Sequence, residues 1–170
     1  MNAHQLSMDE ARKSLHESLR KIEHCLSQIS QDEFWWRPRA EMNSIANLLL
    51  HLAGNLRQWA VLGVGGRGDE DARDRPGEFA DRSNRPMAEV LAKLKSTIAE
   101  ADAALAKCSA EDFVSKRKIQ GFEVTVAYAI WHTITHFQGH TQEIIHMTRV
   151  LRGPAYGVDF VPKGKEQGGL

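Results

Sequence analysis

Leu15, Leu19, Ile22, Leu26 and Ile29 recur at intervals of four and three residues. A strand, whose side chains alternate, has no use for that spacing; a helix from about residue 8 to 30 gathers all five into one buried stripe. The same reasoning finds three more helices. Asn43 and Ser44, both good caps, precede "IANLLLHLAGNLRQWAVLG", which Gly63 would stop. After Pro86, Met87, Leu91, Leu94, Ile98, Ala101 and Leu105 form a third stripe. A fourth helix starts near Thr125 and runs to about Arg152, where Gly153 and Pro154 close it. Four amphipathic helices with no convincing sheet bury their stripes against one another, so the expected fold is all-α, a four-helix bundle.

The connections carry their own signals. "QDEFWWRPRAEM" reads as a linker, because Pro38 disfavours helix just before it. Ser109 with Asp112 resembles a capping box, and "SKRKIQGFEV" reads as an extended excursion around Gly121. Between the second and third helices lies a long loop, residues 63–86, too long for a turn and of the kind that is either a lid or disordered. Its "GVGGRG" lacks the GK[ST] ending of a phosphate loop and reads as flexible, and "RGDEDARDR" lacks calcium-loop spacing and reads as solvated and self-paired. A single domain, 1–170, is expected, with its core at about 8–155 and a frayed tail at about 156–170.

Composition narrows the function. The 170 residues are 42% hydrophobic and 26% charged, ordinary for one domain with a real core. Lys plus Arg equals Asp plus Glu at 22 each. No overall positive field exists to gather phosphates, so nucleic acid is not an expected partner. Apolar runs such as "FEVTVAYAIW" fall short of a bilayer span, and "MNAHQLSMDEARK" lacks a signal peptide's apolar middle; the cytoplasm is the expected location. Cys25 and Cys108 lie far apart without a CxxC pattern and read as packed thiols.

The chemistry is concentrated in "HTITHFQGHTQEIIH", residues 132–146, which holds four of the eight histidines. Successive helical residues turn by about 100°, so His132, His136 and His140 share one stripe with Ala129, Glu143 and Met147, whereas His146 lies to one side. Histidines one turn apart aim ring nitrogens at a single cation, which is why HxxxH recurs in metal sites. A third ligand must come from another helix. Only His51 sits inside another clear core stripe, on a face shared with Ser44, Asn55 and Gln58 that is unusually polar for a buried surface. Gly54, one turn on, would let a neighbour approach closely. His132 is either a fourth ligand, a group orienting one, or a stacked structural ring. His4, His16 and His24 read as surface residues, and Trp35, Trp36, Trp59 and Trp131 as core or site-wall packing. Neither HExxH nor paired Glu-x-x-His motifs occur, which leaves a mononuclear three-histidine site with open positions for water or substrate. Since ligands must be neutral and an imidazole ordinarily titrates near 6.5, metal loss is expected below about pH 6.

"WWRP", "NSIANLLLHLAGNLRQW", "GGRGDEDARDRPGEF", "IQGFEVTV" and "HTITHFQGHTQEII", in that order and spacing, resemble the DinB/YfiT-like superfamily over about residues 8–155. The resemblance implies a four-helix bundle, commonly dimeric, with one divalent metal held by a histidine of the second helix and an HxxxH pair of the fourth. By position these are His51, His136 and His140. It also implies a small-molecule substrate, and in some relatives a low-molecular-weight thiol as cosubstrate for S-transfer. Zinc and nickel both suit imidazole. Where many relatives read His-x-Gly-Gln, here Thr141, Gln142 and Glu143 follow His140. Glu143, with Asn55 and His132, is then a candidate to orient a ligand or accept a proton.

Overall fold

The computed structural model describes residues 2–67 and 73–158. Part of the acidic loop and most of the tail expected to fray lie outside the described residues.

Helix α1, Ala3–Leu26, begins where the Asn2 side chain accepts the Gln5 amide, so it starts five residues earlier than the apolar stripe suggested. It also ends earlier. Ser30 opens a separate short helix, α2 (Gln31–Trp35), through a reciprocal capping box with Glu33, and Phe34 and Trp35 are buried beneath it. The segment read as a linker is therefore partly helical, since the restriction imposed by Pro38 falls on Arg37, after α2 has ended.

Helix α3, Ile45–Leu56, is capped by Ser44 and is buried on nearly every side. A helix covered on every side belongs at the centre of a fold. It widens into a π-helical continuation, Arg57–Val64, that ends one residue past the stop expected at Gly63. The long loop then contains a helix of its own, α4 (Arg75–Ala80), capped by Asp74 with Pro76 in its first turn. Helix α5, Met87–Lys107, buries Val90, Leu94, Ile98, Ala101 and Leu105, with Met87 and Leu91 only half-buried. Ser109 caps the short α6, Ala110–Val114, by the capping box read from the sequence.

The extended excursion is a hairpin of β1 (Lys116–Ile119) and β2 (Phe122–Thr125), antiparallel, with Ile119 opposite Phe122. Gln120 and Gly121, at φ of 53° and 81°, make the two-residue turn whose left-handed pair matches strand twist. Thr125 then caps α7, Val126–Arg152, and Gly153 closes it at positive φ, as the sequence predicted.

The chain is thus mostly helical. Helix α1 packs on α5 and α7, and α3 packs on the same two, so each long helix meets two others around one core. Leu15, Ile22, Leu48, Leu52, Leu94, Ile98, Phe137 and Ile144 interlock at its centre. Cys25 and Cys108 are both buried and form no disulfide with each other, as expected. One aromatic expectation fails: Trp131 is 62% exposed, on the side of α7 that also turns Tyr128, Thr135 and Gln138 outward. Among the described residues, no helix is long and apolar enough to cross a membrane.

Candidate metal centre

Helices α3 and α7 touch, and their contact brings His51 against two successive turns of α7. One donor atom from each of His51, His136 and His140 falls in a group whose members all lie within 4.8 Å of one another. Within it, His51 Nε2 and His136 Nε2 stand 3.2 Å apart. Two ligands of a tetrahedral ion, each about 2.0–2.1 Å from it, stand about 3.3 Å from each other. The sequence-predicted trio is therefore assembled, and it could hold a metal ion.

His51 and His136 are poised as neutral donors. Burial, then the neighbouring His140, His51 and His132 and the charge of Arg73, push His136 down to about 3. Burial also lowers His51, against the opposing hydrogen bond that it donates to Glu78. His51 is 3% exposed, and its Nδ1 stands 3.0 Å from Glu78 Oε2. The Nδ1 of His140 stands 2.8 Å from Glu143 Oε2. A proton held between Nδ1 and a carboxylate leaves Nε2 with its lone pair, the form a cation needs. His136 Nδ1 is buried without a hydrogen-bond partner among the described residues.

Two of the three residues expected around the ligands are not members of the donor group. His132 packs on Trp59 with ring centroids 4.1 Å apart, on Tyr128 at 6.1 Å and on His136 at 5.7 Å, a ring set between an aromatic wall and the trio, with burial lowering its pKa. Asn55 is buried one turn along α3 and outside the trio. His146 is exposed to one side, as the helical geometry required.

A family model described as protein of unknown function (DUF1572) matches residues 2–165. The chain belongs to the DUF1572 family. No curated protein matches it.

In this DUF1572 chain the sequence reading missed two residues beside the trio. Arg73 falls in the stretch that reads as solvated and Glu78 in the long loop beyond it, yet their side chains are only 7% and 12% exposed. Arg73 grips Glu78 with two bonds of 2.7 Å, Nε to Oε1 and Nη2 to Oε2, and Nη2 also reaches the His51 carbonyl at 3.3 Å. Burial works to raise the Glu78 carboxyl, but Arg73 and His51 outweigh it and hold the group ionised. The polar face of α3 thus finds its partners here. Gln58 accepts from Arg73 Nη1 at 3.2 Å, and Asn47 donates to the Glu78 carbonyl at 2.8 Å. One signal was present: Asp74 followed by Pro76 and Glu78 is a helix start, which should have argued against an unstructured loop.

Proposed function

We propose that this chain is a DinB-like four-helix-bundle metalloprotein in which His51, His136 and His140 hold one divalent ion, zinc or nickel, and that it is an enzyme acting on a small electrophilic molecule. The observation that carries this reading is the meeting of three imidazole donors, from two helices far apart in sequence, within 4.8 Å. Three protein ligands leave a coordination position open, the pattern of catalytic rather than structural sites. A divalent ion at such a site supplies the means to lower the pKa of a thiol or water to near neutrality.

The chain's own residues prepare that chemistry in two ways. Burial and mutual repulsion keep His51 and His136 unprotonated near pH 7, so protons do not compete for their lone pairs. Glu143, 43% exposed and bonded to His140, is the group at the rim able to take up a proton as a nucleophile is formed. The favoured reaction is thiol S-transfer, with a low-molecular-weight thiol as cosubstrate; hydrolysis is the variant in which water replaces the thiol. A homodimer and a cytoplasmic location belong to the same reading, the latter supported by two buried cysteines kept as thiols.

The test uses protein purified without a histidine tag, whose metal content is measured by elemental analysis before a screen of thiols against electrophiles. About one equivalent of metal and thiol-dependent conjugation are expected, both lost in His136→Ala. Equal rates with metal-free protein would remove the catalytic proposal. Turnover that needs no thiol would favour hydrolysis, and stoichiometric metal without turnover a binding module.

A further inference from the structure

Helix α4 has no buried residue, yet the segment that carries it plants two charged side chains in the interior. Burying an ion pair costs desolvation that apolar packing would avoid, so the pair calls for a reason beyond covering the core. Its contacts converge on one side chain. Glu78 Oε2 faces His51 Nδ1 at 3.0 Å, Arg73 Nη2 reaches the His51 carbonyl, and Phe79 lies on the His51 ring with centroids 4.5 Å apart. Arg75 in turn stands 5.0 Å over the Phe79 ring. The same side of α3, one turn on from His51, is cut to receive the pair. A Cβ at Gly54 would collide with Glu78 Oε1 and crowd Arg73 Nε, so only glycine lets both side chains lie against the helix.

We infer that Glu78, locked by Arg73 in a notch made by Gly54, is a positioning residue that fixes His51 with its Nε2 toward His136 and thereby sets the metal affinity of the centre. The inference rests on the metal-centre reading above. With Nδ1–H donated to Glu78, Nε2 is the lone-pair nitrogen and the ring cannot turn over without breaking that bond. Arg73 Nη2 lies 3.1 Å from the same Nδ1, but both are donors in this tautomer. Its hydrogens go instead to Glu78 Oε2 and the His51 carbonyl, which clamps the carboxylate in place. Glu143 makes the corresponding contact to His140 from a solvent-exposed position, with no arginine behind it among the described contacts. The two carboxylates should therefore differ in weight.

The experiment measures zinc and cobalt binding to the full chain by competition with a chromophoric chelator, together with the visible spectrum of the cobalt form and the melting of the metal-free form. Removing a group that orients a metal-bound histidine weakens binding by about 10–100-fold, and that loss is expected for Glu78→Ala. Glu78→Gln, whose amide oxygen still accepts from Nδ1–H, should lose less, and Glu143→Ala least. Gly54→Ala alters neither the histidines nor the pair, yet should weaken binding and shift the cobalt bands by displacing Glu78. If the wild type binds one equivalent through His136 while Glu78→Ala and Gly54→Ala bind as tightly, the inference is overturned and the metal-centre reading stands. If the variants lose affinity only as their metal-free forms melt, with cobalt bands unchanged, Glu78 serves folding alone and the inference is again overturned. A wild type that binds no metal, or binds equally after His136→Ala, defeats the metal-centre reading and this inference with it.

Discussion

At the scale of single residues, the three donors were legible because two of them obey local geometry. His136 and His140 are one helical turn apart, and any helix through them must place both rings on one side. His51 was legible through an anomaly, a histidine in an otherwise apolar stripe. What could not be read was the degree of burial, and that changes the pH expectation. His136, pushed down to about 3, and His51, lowered in the same direction, resist protonation well below the value of an ordinary imidazole. Loss of metal on acidification should therefore begin lower than the pH 6 an unperturbed ring would give. Dialysis at pH 5.5 is expected to leave the metal content near its pH 7.5 value; release already at pH 6 would count against the buried rings. The sign for stability follows separately. A histidine whose folded pKa lies below its unfolded one takes up its proton first in the unfolded chain, so the metal-free fold is unaffected above about pH 6.5. It weakens as pH falls from there toward about 3, by at most about 1.4 kcal/mol per unit from His136.

Capped elements long enough to carry an apolar stripe were legible, whereas α2 and α4, capped but only five and six residues long, were not. Thr125 and Gly153 bound α7 where the sequence put them, since capping is chemistry between near neighbours. Helix α4 escaped because its anchors lie on α3. Asn47 Nδ2 donates to the carbonyls of Glu78 and Asp81, at 2.8 and 3.2 Å, while its Oδ1 accepts from Ser44 Oγ at 2.8 Å and from Arg37. Arg37 Nη2 also holds the Asp81 carbonyl at 3.1 Å. A residue that looks like part of a helix start thus ties down a segment some thirty positions later, a pairing no local pattern encodes. Asn47→Ala should leave buried polar groups without partners, at a cost of about 1–3 kcal/mol in urea denaturation. The damage should be local: amides of residues 75–81 are expected to exchange with solvent faster while those of α7 keep their protection. Uniform loss of protection across the chain would show that α4 is not separately anchored by Asn47.

For the whole molecule, the four apolar stripes made the helical packing legible, whereas the exposed Phe122, Tyr128 and Trp131 did not follow from their hydrophobicity. The long helices need no ion to bury their core, but the proposed ligands come from positions 85 residues apart, and that separation has a thermodynamic consequence. An ion that binds only when α3 and α7 are docked stabilises the folded chain by mass action, about 2.7 kcal/mol at a free concentration a hundredfold above Kd. In a domain of about this size each kcal/mol moves Tm by about 2–4 °C, so removing the ion with a chelator should lower Tm by roughly 5–11 °C. His136→Ala supplies the control. Its metal-free form keeps the same helices and should melt at one temperature with or without chelator, since the ion no longer links them. A wild-type Tm indifferent to both chelator and added zinc would mean that the three imidazoles meet without holding anything between them, and the bundle would have to be explained by its apolar core alone.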